Sequence, residues 1–234
     1  MMHGPQRDEV ALTFSIPSRC AEEVGQGETD IGLVPVAEIA RQGLQIVPGV
    51  GIAAEGPVRS ILLFSTVPWR NVRTVAADSS SRTSVQLARV ILREQFGVDP
   101  LVLPNEPNLD QMLEAADAAL IIGDPALRIE PNQQPYQWLD LAEEWKVLTG
   151  LPMVFAAWAG KPGIPVEELR QITRGSYEFG KHHLAEIVRG EAAKHQIKQD
   201  LAERYLRDHI RFELGQREQR GLETFFELAY AYVR

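Results

Sequence analysis

The chain has 234 residues, 44% of them hydrophobic, with a formal net charge of −8 and an isoelectric point near 5.2. An acidic protein repels nucleic-acid phosphates, so the charge argues against a nucleic-acid partner, and any anionic ligand must be held by local positive groups. No apolar run approaches the ~20 residues a membrane-spanning helix needs, the polar start Met1–Asp8 lacks a signal-peptide core, and the single Cys20 cannot close an internal disulfide; no membrane association is expected, and the expected compartment is the cytoplasm.

Val10, Leu12, Phe14 and Ile16 alternate, which predicts a first strand over Val10–Ile16. Pro17-Ser18 opens a helix that Gly27 ends. Cys20 and Val24 lie four apart and share its buried face, so Cys20 is read as a small core residue and not as a nucleophile. Asp30–Val34 reads as a buried strand, Val36–Arg41 as a helix closed by Gly43, and Leu44–Pro48, Val50–Ala54 and Val58–Ser65 as three further strands. Val72–Ala76 (strand), Thr83–Phe96 (helix), Leu101–Leu103 (strand), Leu109–Ala115 (helix) and Ala118–Ile122 (strand) follow. Asp124 is placed as the N-cap of a helical turn beginning at Pro125. Trp138–Leu141 is expected as a short strand, Glu143–Leu148 as a helix and Pro152–Ala159 as an apolar strand. Everything after Pro165 reads as helical.

Strands alternating with helices predict an α/β fold with mostly parallel sheets. The strands are too many for one small sheet. The expected division is a first lobe of residues 1–66 and 156–234 and a second of residues 67–155, closing on a ligand like a hinge.

One stretch stands out for chemistry. Ala77-Asp78-Ser79-Ser80-Ser81-Arg82-Thr83-Ser84 joins the end of a strand to the start of a helix. The first N–H groups of a helix lack internal partners, and its dipole makes that end positive. Several hydroxyls and a guanidinium at such a place exceed what an N-cap needs and make an anion site, suited to a carboxylate or a phosphate. Strand ends are also where open α/β sheets bind ligands. Asp30–Glu38 carries another strand into a helix N-terminus, so the backbone near Val36 is a candidate for the same cleft, with plain strand–helix packing as the alternative. Ser60, after Gly56-Pro57-Val58-Arg59, and Asp124, after the strand Ala118–Ile122, are further candidates. On a strand, Arg59 and Ser60 face opposite ways. His182 and His183 are neighbours on a helix and point about 100° apart, so they do not converge on a metal.

The strings Ser79-Ser80-Ser81-Arg82-Thr83-Ser84-Val85, Gly56-Pro57-Val58-Arg59-Ser60, Ala116–Arg128 and Glu143–Ala159 resemble the chorismate dehydratase family of the futalosine route to menaquinone. Asp30-Ile31-Gly32 and Gly221-Leu222-Glu223-Thr224-Phe225 fit as well, so the resemblance runs from about Val10 over nearly the whole chain. It implies an α/β, two-lobed fold like that of type II periplasmic binding proteins, with a helical C-terminal tail. It implies chorismate as the small-molecule partner, loss of water as the reaction, and no metal or organic cofactor. By matched motif, Ser60, Ser80, Ser81, Arg82, Thr83 and Ser84 line the pocket. Family members usually open with a strand and an Asn-Xaa-Xaa-Pro-Leu segment whose Asn belongs to the active site. No counterpart is found here, so lobe one is expected to lack that strand and that Asn. Two other readings stay open: a carboxylate-binding protein of the same fold without chemistry, and the sister enzyme 1,4-dihydroxy-6-naphthoate synthase.

Overall fold

The computed structural model describes residues 3–78 and 82–231. Along the chain run α1 (Pro17–Gln26), β1 (Ile31–Pro35), α2 (Val36–Gln42), β2 (Gln45–Ala54), β3 (Ile61–Ser65), β4 (Thr74–Ala77) and α3 (Arg82–Phe96). Next come β5 (Leu101–Pro104), α4 (Leu109–Ala115), β6 (Ala118–Ile122), α5 (Gly123–Arg128), β7 (Gln137–Asp140), α6 (Leu141–Thr149) and β8 (Met153–Gly160). The last part holds α7 (Val166–His182), α8 (Leu184–Glu191), α9 (Gln199–Arg204), β9 (Arg211–Glu213) and α10 (Gln216–Tyr230). The chain divides into two compact units, Met1–Ala53 with Val154–Gln219, and Ala54–Met153 with Arg220–Arg234.

Unit 1 is built on the sheet β1-β8-β2-β9. β1 and β8 pair antiparallel, Leu33 opposite Trp158, and β2 and β9 also pair antiparallel. Leu44–Pro48 and Val50–Ala54 form one strand, not two: Gly49 takes φ +106°, and β2 continues past Pro48. Pro17 starts α1 and left-handed Gly27, φ +81°, ends it. The helix lies so close to β1 that a Cβ on Gly32 would sit 2.5 Å from Cys20 Sγ and 2.9 Å from Val24.

That contact explains why the expected first strand is absent. Residues 11–16 are not a strand, and Phe14 and Ile16 are 75% and 61% exposed. The Leu33 N–H donates to Cys20 Sγ, so α1 meets the β1 backbone where another strand would pair. Cys20 is half-buried, and burial pushes its thiol up, away from a nucleophilic thiolate. The tail is helical but not wholly so. A turn of π-helix at Tyr205–His209 leads into β9, and α7 runs unbroken over 17 residues.

Unit 2 carries the sheet β5-β4-β6-β3-β7. β4 is parallel to β5 and β6, whereas β3 is antiparallel to β6 and β7. With the antiparallel pairs of unit 1, this makes mixed sheets where mostly parallel ones are expected. All five residues of β3 are buried, as befits a central strand covered on both faces. Leu62 and Phe64 pack with Ala76, Met112, Ala119, Ile121 and Ala126 in one apolar cluster. α3 packs on α6. α10 brings Phe225, fully buried, edge-on to Trp145 at 6.0 Å between ring centres. The unit bounds differ from those expected because β3 pairs inside unit 2 and α10 docks there.

No helix among the described residues is long and apolar enough to cross a membrane.

Candidate functional site

Strand registers bring four segments to one end of the unit 2 sheet. Ala77 of β4 lies opposite Leu120 of β6, both strands running the same way. β3 runs against β6, so its start at Ile61 lies beside the end of β6 at Ile122. β7 runs against β3, with Asp140 opposite Leu62. The rim therefore carries the segment after β4, Gly123 and Asp124 after β6, Val58–Ser60 before β3, and Asp140 at the end of β7. β4 and β3 are separated by β6 alone, so the strands that lead into α3 and out of Ser60 run about two strand spacings, roughly 10 Å, apart in the sheet. Asn105, whose N–H donates to Ala77 O at 3.0 Å, joins the rim beyond β4.

α3 begins at Arg82 and has no acidic residue in its first turn, so nothing there offsets the positive end of its dipole. Arg82 is exposed, while Thr83 and Ser84 are 3% and 4% exposed. Ser80 and Ser81 lie outside the described residues. Fifteen residues of helix follow, anchored by the buried face Leu87, Ala88, Val90, Ile91 and Leu92.

Ser60 is 4% exposed, and its carbonyl accepts the Gly123 N–H at 2.8 Å. It does not sit on a strand, contrary to the expected Val58–Ser65. β3 starts only at Ile61, because Arg59 turns into the left-handed region with φ +66°. The Arg59 N–H donates to Asp140 Oδ2 at 2.6 Å. Its guanidinium donates to Ile129 O at 3.1 Å and lies 3.7 Å from Glu130. Asp140 is buried, and its Oδ1 accepts the Ala142 and Glu143 N–H groups at 3.1 and 3.3 Å, capping α6. Burial pushes its carboxyl above the usual carboxylate range, and the N–H groups of Arg59, Val58, Glu143 and Ala142 oppose that rise.

Asp124 is half-buried in the first turn of α5. It is not the N-cap: Ile122 occupies that position, and Gly123, at φ +65°, starts the helix. Val36 belongs to unit 1, where it is the first residue of α2 and fully buried. Its side chain is core, so a ligand role there falls to its backbone. Nearby, buried Glu38 takes Arg41 Nη2 at 2.7 Å and Gln42 Nε2 at 2.9 Å. His182 and His183 each place Nδ1 by a backbone carbonyl, of Glu178 and Phe179. Among the described residues no group of His, Cys, Asp and Glu could hold a metal ion.

A separate cavity of about 830 Å³ lies within unit 1, floored by Leu33, Val50, Ile52 and Trp158 and walled by Tyr177 and Lys181. The Tyr177 hydroxyl donates to Glu213 at 3.1 Å, and Lys181 stands 3.8 Å from the same carboxylate. None of the candidate residues lines this cavity, and two of its cations already face acids, Lys181 at Glu213 and Arg207 at Glu203.

The sequence singles out the α3 start, Ser60 and Asp124, which the strand registers put at this end of the unit 2 sheet, and does not single out Asp140, Asn105 or the left-handed Arg59. Asp140 precedes Leu141-Ala142-Glu143-Glu144 and reads in hindsight as an N-cap; its second partner is 81 residues away and leaves no local mark.

A family model described as menaquinone biosynthesis matches residues 1–231. A chorismate dehydratase of Thermus thermophilus is 28% identical over 92% of this chain and 85% of its own length. One from Campylobacter jejuni is 27% identical over 62% of this chain and 51% of its own. Among solved structures, a crystal structure of an Archaeoglobus fulgidus protein superposes with a TM-score of 0.76 at 16% identity, covering 95% of this chain and 86% of that one. The periplasmic aliphatic sulphonate binding protein of Escherichia coli gives 0.60 at 15%, covering 92% and 75%. At these identities the solved structures bear on the fold, which is that of periplasmic binding proteins.

Proposed function

Because the chain belongs to the menaquinone biosynthesis family, we propose that it is a chorismate dehydratase, a carbon–oxygen lyase acting in the cytosol. The reaction converts chorismate to 3-[(1-carboxyvinyl)oxy]benzoate and water. A proton leaves the ring carbon that bears the enolpyruvyl ether, the adjacent C–O bond breaks, and the departing hydroxyl takes up a proton. The ring becomes aromatic, so the reaction is downhill. The protein then has to supply orientation and help for the leaving group.

The observation that carries this reading is the single rim of unit 2 on which the α3 N-terminus and Ser60 both stand. Chorismate is a dianion, and the chain is acidic overall. Arg82 and the positive N-terminal end of the α3 dipole supply the local positive site for one carboxylate. Thr83 and Ser84 add hydroxyls there, and Ser80 and Ser81 belong to the same string. Asp124 completes the proposed lining on unit 2, and the Val36 backbone is proposed, by itself, as a substrate contact of unit 1. Ser60, which leads into the strand about two spacings away, holds the enolpyruvyl carboxylate, which itself takes the ring proton. Substrate assistance fits a rim on which the buried Asp140 carboxylate is already taken up by the Arg59 N–H and the start of α6.

The test is direct. Purified protein is mixed with chorismate, and the aromatic product is followed by absorbance and mass. The expected result is stoichiometric conversion to the benzoate. Chorismate bound but unchanged would sink the lyase reading in favour of a carboxylate-binding protein. Turnover of a naphthoate precursor with chorismate untouched would favour 1,4-dihydroxy-6-naphthoate synthase.

A further inference from the structure

Two residues of the Gly56–Ser60 turn adopt left-handed backbone, Gly56 at φ +114° and Arg59 at φ +66°. Glycine does so freely, but in arginine the Cβ crowds the following carbonyl, and such a residue persists only where its surroundings hold it. The holding group is plain. Asp140 Oδ2 takes the Arg59 N–H at 2.6 Å, just below the usual range for such bonds. The Val58 N–H points to the same carboxylate. Its other oxygen is fixed by Ala142 and Glu143 at the start of α6. Asp140 is itself buried, at 2% exposure. From the other side, the Arg59 guanidinium is tied to Ile129 O. Ser60, next in the chain, has its carbonyl held by Gly123.

We propose that Asp140 is a positioning residue: its buried carboxylate locks Arg59 in the left-handed region and so fixes where Ser60 stands on the rim. A carboxylate suits this task because it only accepts. Four N–H groups from two chain segments converge on two oxygens, and no hydroxyl or amide offers as many acceptor sites. The claim about turnover rests on the proposed dehydratase activity with Ser60 at its centre; the claim about the turn does not.

Asp140→Asn tests both. An asparagine keeps an oxygen to cap α6 but turns an NH₂ donor toward the Arg59 N–H. The Arg59 amide, followed by hydrogen exchange, is expected to exchange at least about tenfold faster. kcat for chorismate is expected to fall by about tenfold or more while KM changes less. Arg59→Gly added to Asp140→Asn removes the need for a lock, since glycine takes φ +66° unaided, and is expected to recover most of the lost kcat. Loss of an α6 cap alone gives no such recovery. If Asp140→Asn does not fold, Asp140→Ser keeps a good cap with a side chain too short to reach both segments, and the same three readouts apply. Unchanged Arg59 exchange, or an unchanged kcat, or no recovery from glycine, overturns the proposal. An unaltered protein that leaves chorismate untouched while the variant still frees the Arg59 amide overturns the dehydratase reading and leaves the lock standing.

Discussion

Two residues on the rim are expected to fail in different ways when changed. Ser60→Ala removes the hydroxyl placed on the enolpyruvyl carboxylate as the proton moves. It should lower kcat by about a hundredfold, the size of losing one aimed hydrogen bond in a transition state. Arg82→Gln removes a charge-assisted grip present in both ground and transition states. It should raise KM about tenfold with kcat less affected. Steady-state kinetics on chorismate separates the two, and equal effects of both on KM alone would argue that Ser60 only binds. Tyr177 offers a check away from the rim. Burial, and then the Glu213 carboxylate it donates to, push its hydroxyl up to about 12. An alkaline titration at 295 nm should show an ionisation near pH 12 that is missing from Tyr177→Phe. The unfolded chain loses that proton near its ordinary value of 10.0 while the folded chain keeps it. Stability from this group is therefore whole below about pH 10 and is lost as pH rises from there toward 12.

At the scale of elements, one substitution should act with opposite signs in two helices. A Cβ on Gly221 of α10 would run into the backbone carbonyl of Pro152, which cannot step aside. Gly221→Ala should lower the melting temperature markedly. Gly180 of α7 has nothing within 4 Å of its would-be Cβ, so Gly180→Ala should stabilise by about 0.5 to 1 kcal/mol through helix propensity. Thermal melts of the two variants check this, and equal shifts would mean that α10 is not seated as described. The same scale shows what sequence could and could not reveal. β4, α3, β6 and α6 were legible because their apolar spacing and their flanking caps are local. Val10–Ile16 was misread because alternation records amphipathicity, not the presence of a pairing partner, and α1 meets the β1 edge through Cys20. β9 was missed because three residues, Arg211–Glu213, carry no period. Asp140 was missed because half its work is done for a turn 81 residues away.

At the scale of the molecule, unit 2 is assembled from two stretches of chain, and Phe225 is the buried anchor of the second. Phe225→Ala should cost unit 2 about 3 to 5 kcal/mol by emptying the space beside Trp145. Hydrogen exchange read peptide by peptide should then show protection lost across β3, β4 and β6 but kept in β1 and the unit 1 part of β8. Loss spread evenly over both sheets would mean that the units do not respond separately. The overall class and the two-body plan were readable from the alternation of strands and helices. The ownership of the last helix was not, since an apolar stripe such as Leu222, Phe225, Phe226 and Ala229 states that a face is covered but not by what.

That ownership has a consequence for how the protein is made. The ribosome finishes β7 and α6 well before it writes the helix that closes over Trp145. Between Met153 and Arg220 it must thread the 66 residues, Val154–Gln219, that lie between the two stretches of unit 2, which takes on the order of several seconds at ordinary translation speeds. During that interval the nascent sheet carries a vacant aromatic slot. The half of the molecule that bears the rim is thus the half that waits for its second stretch, and it is there that a chaperone would find its grip.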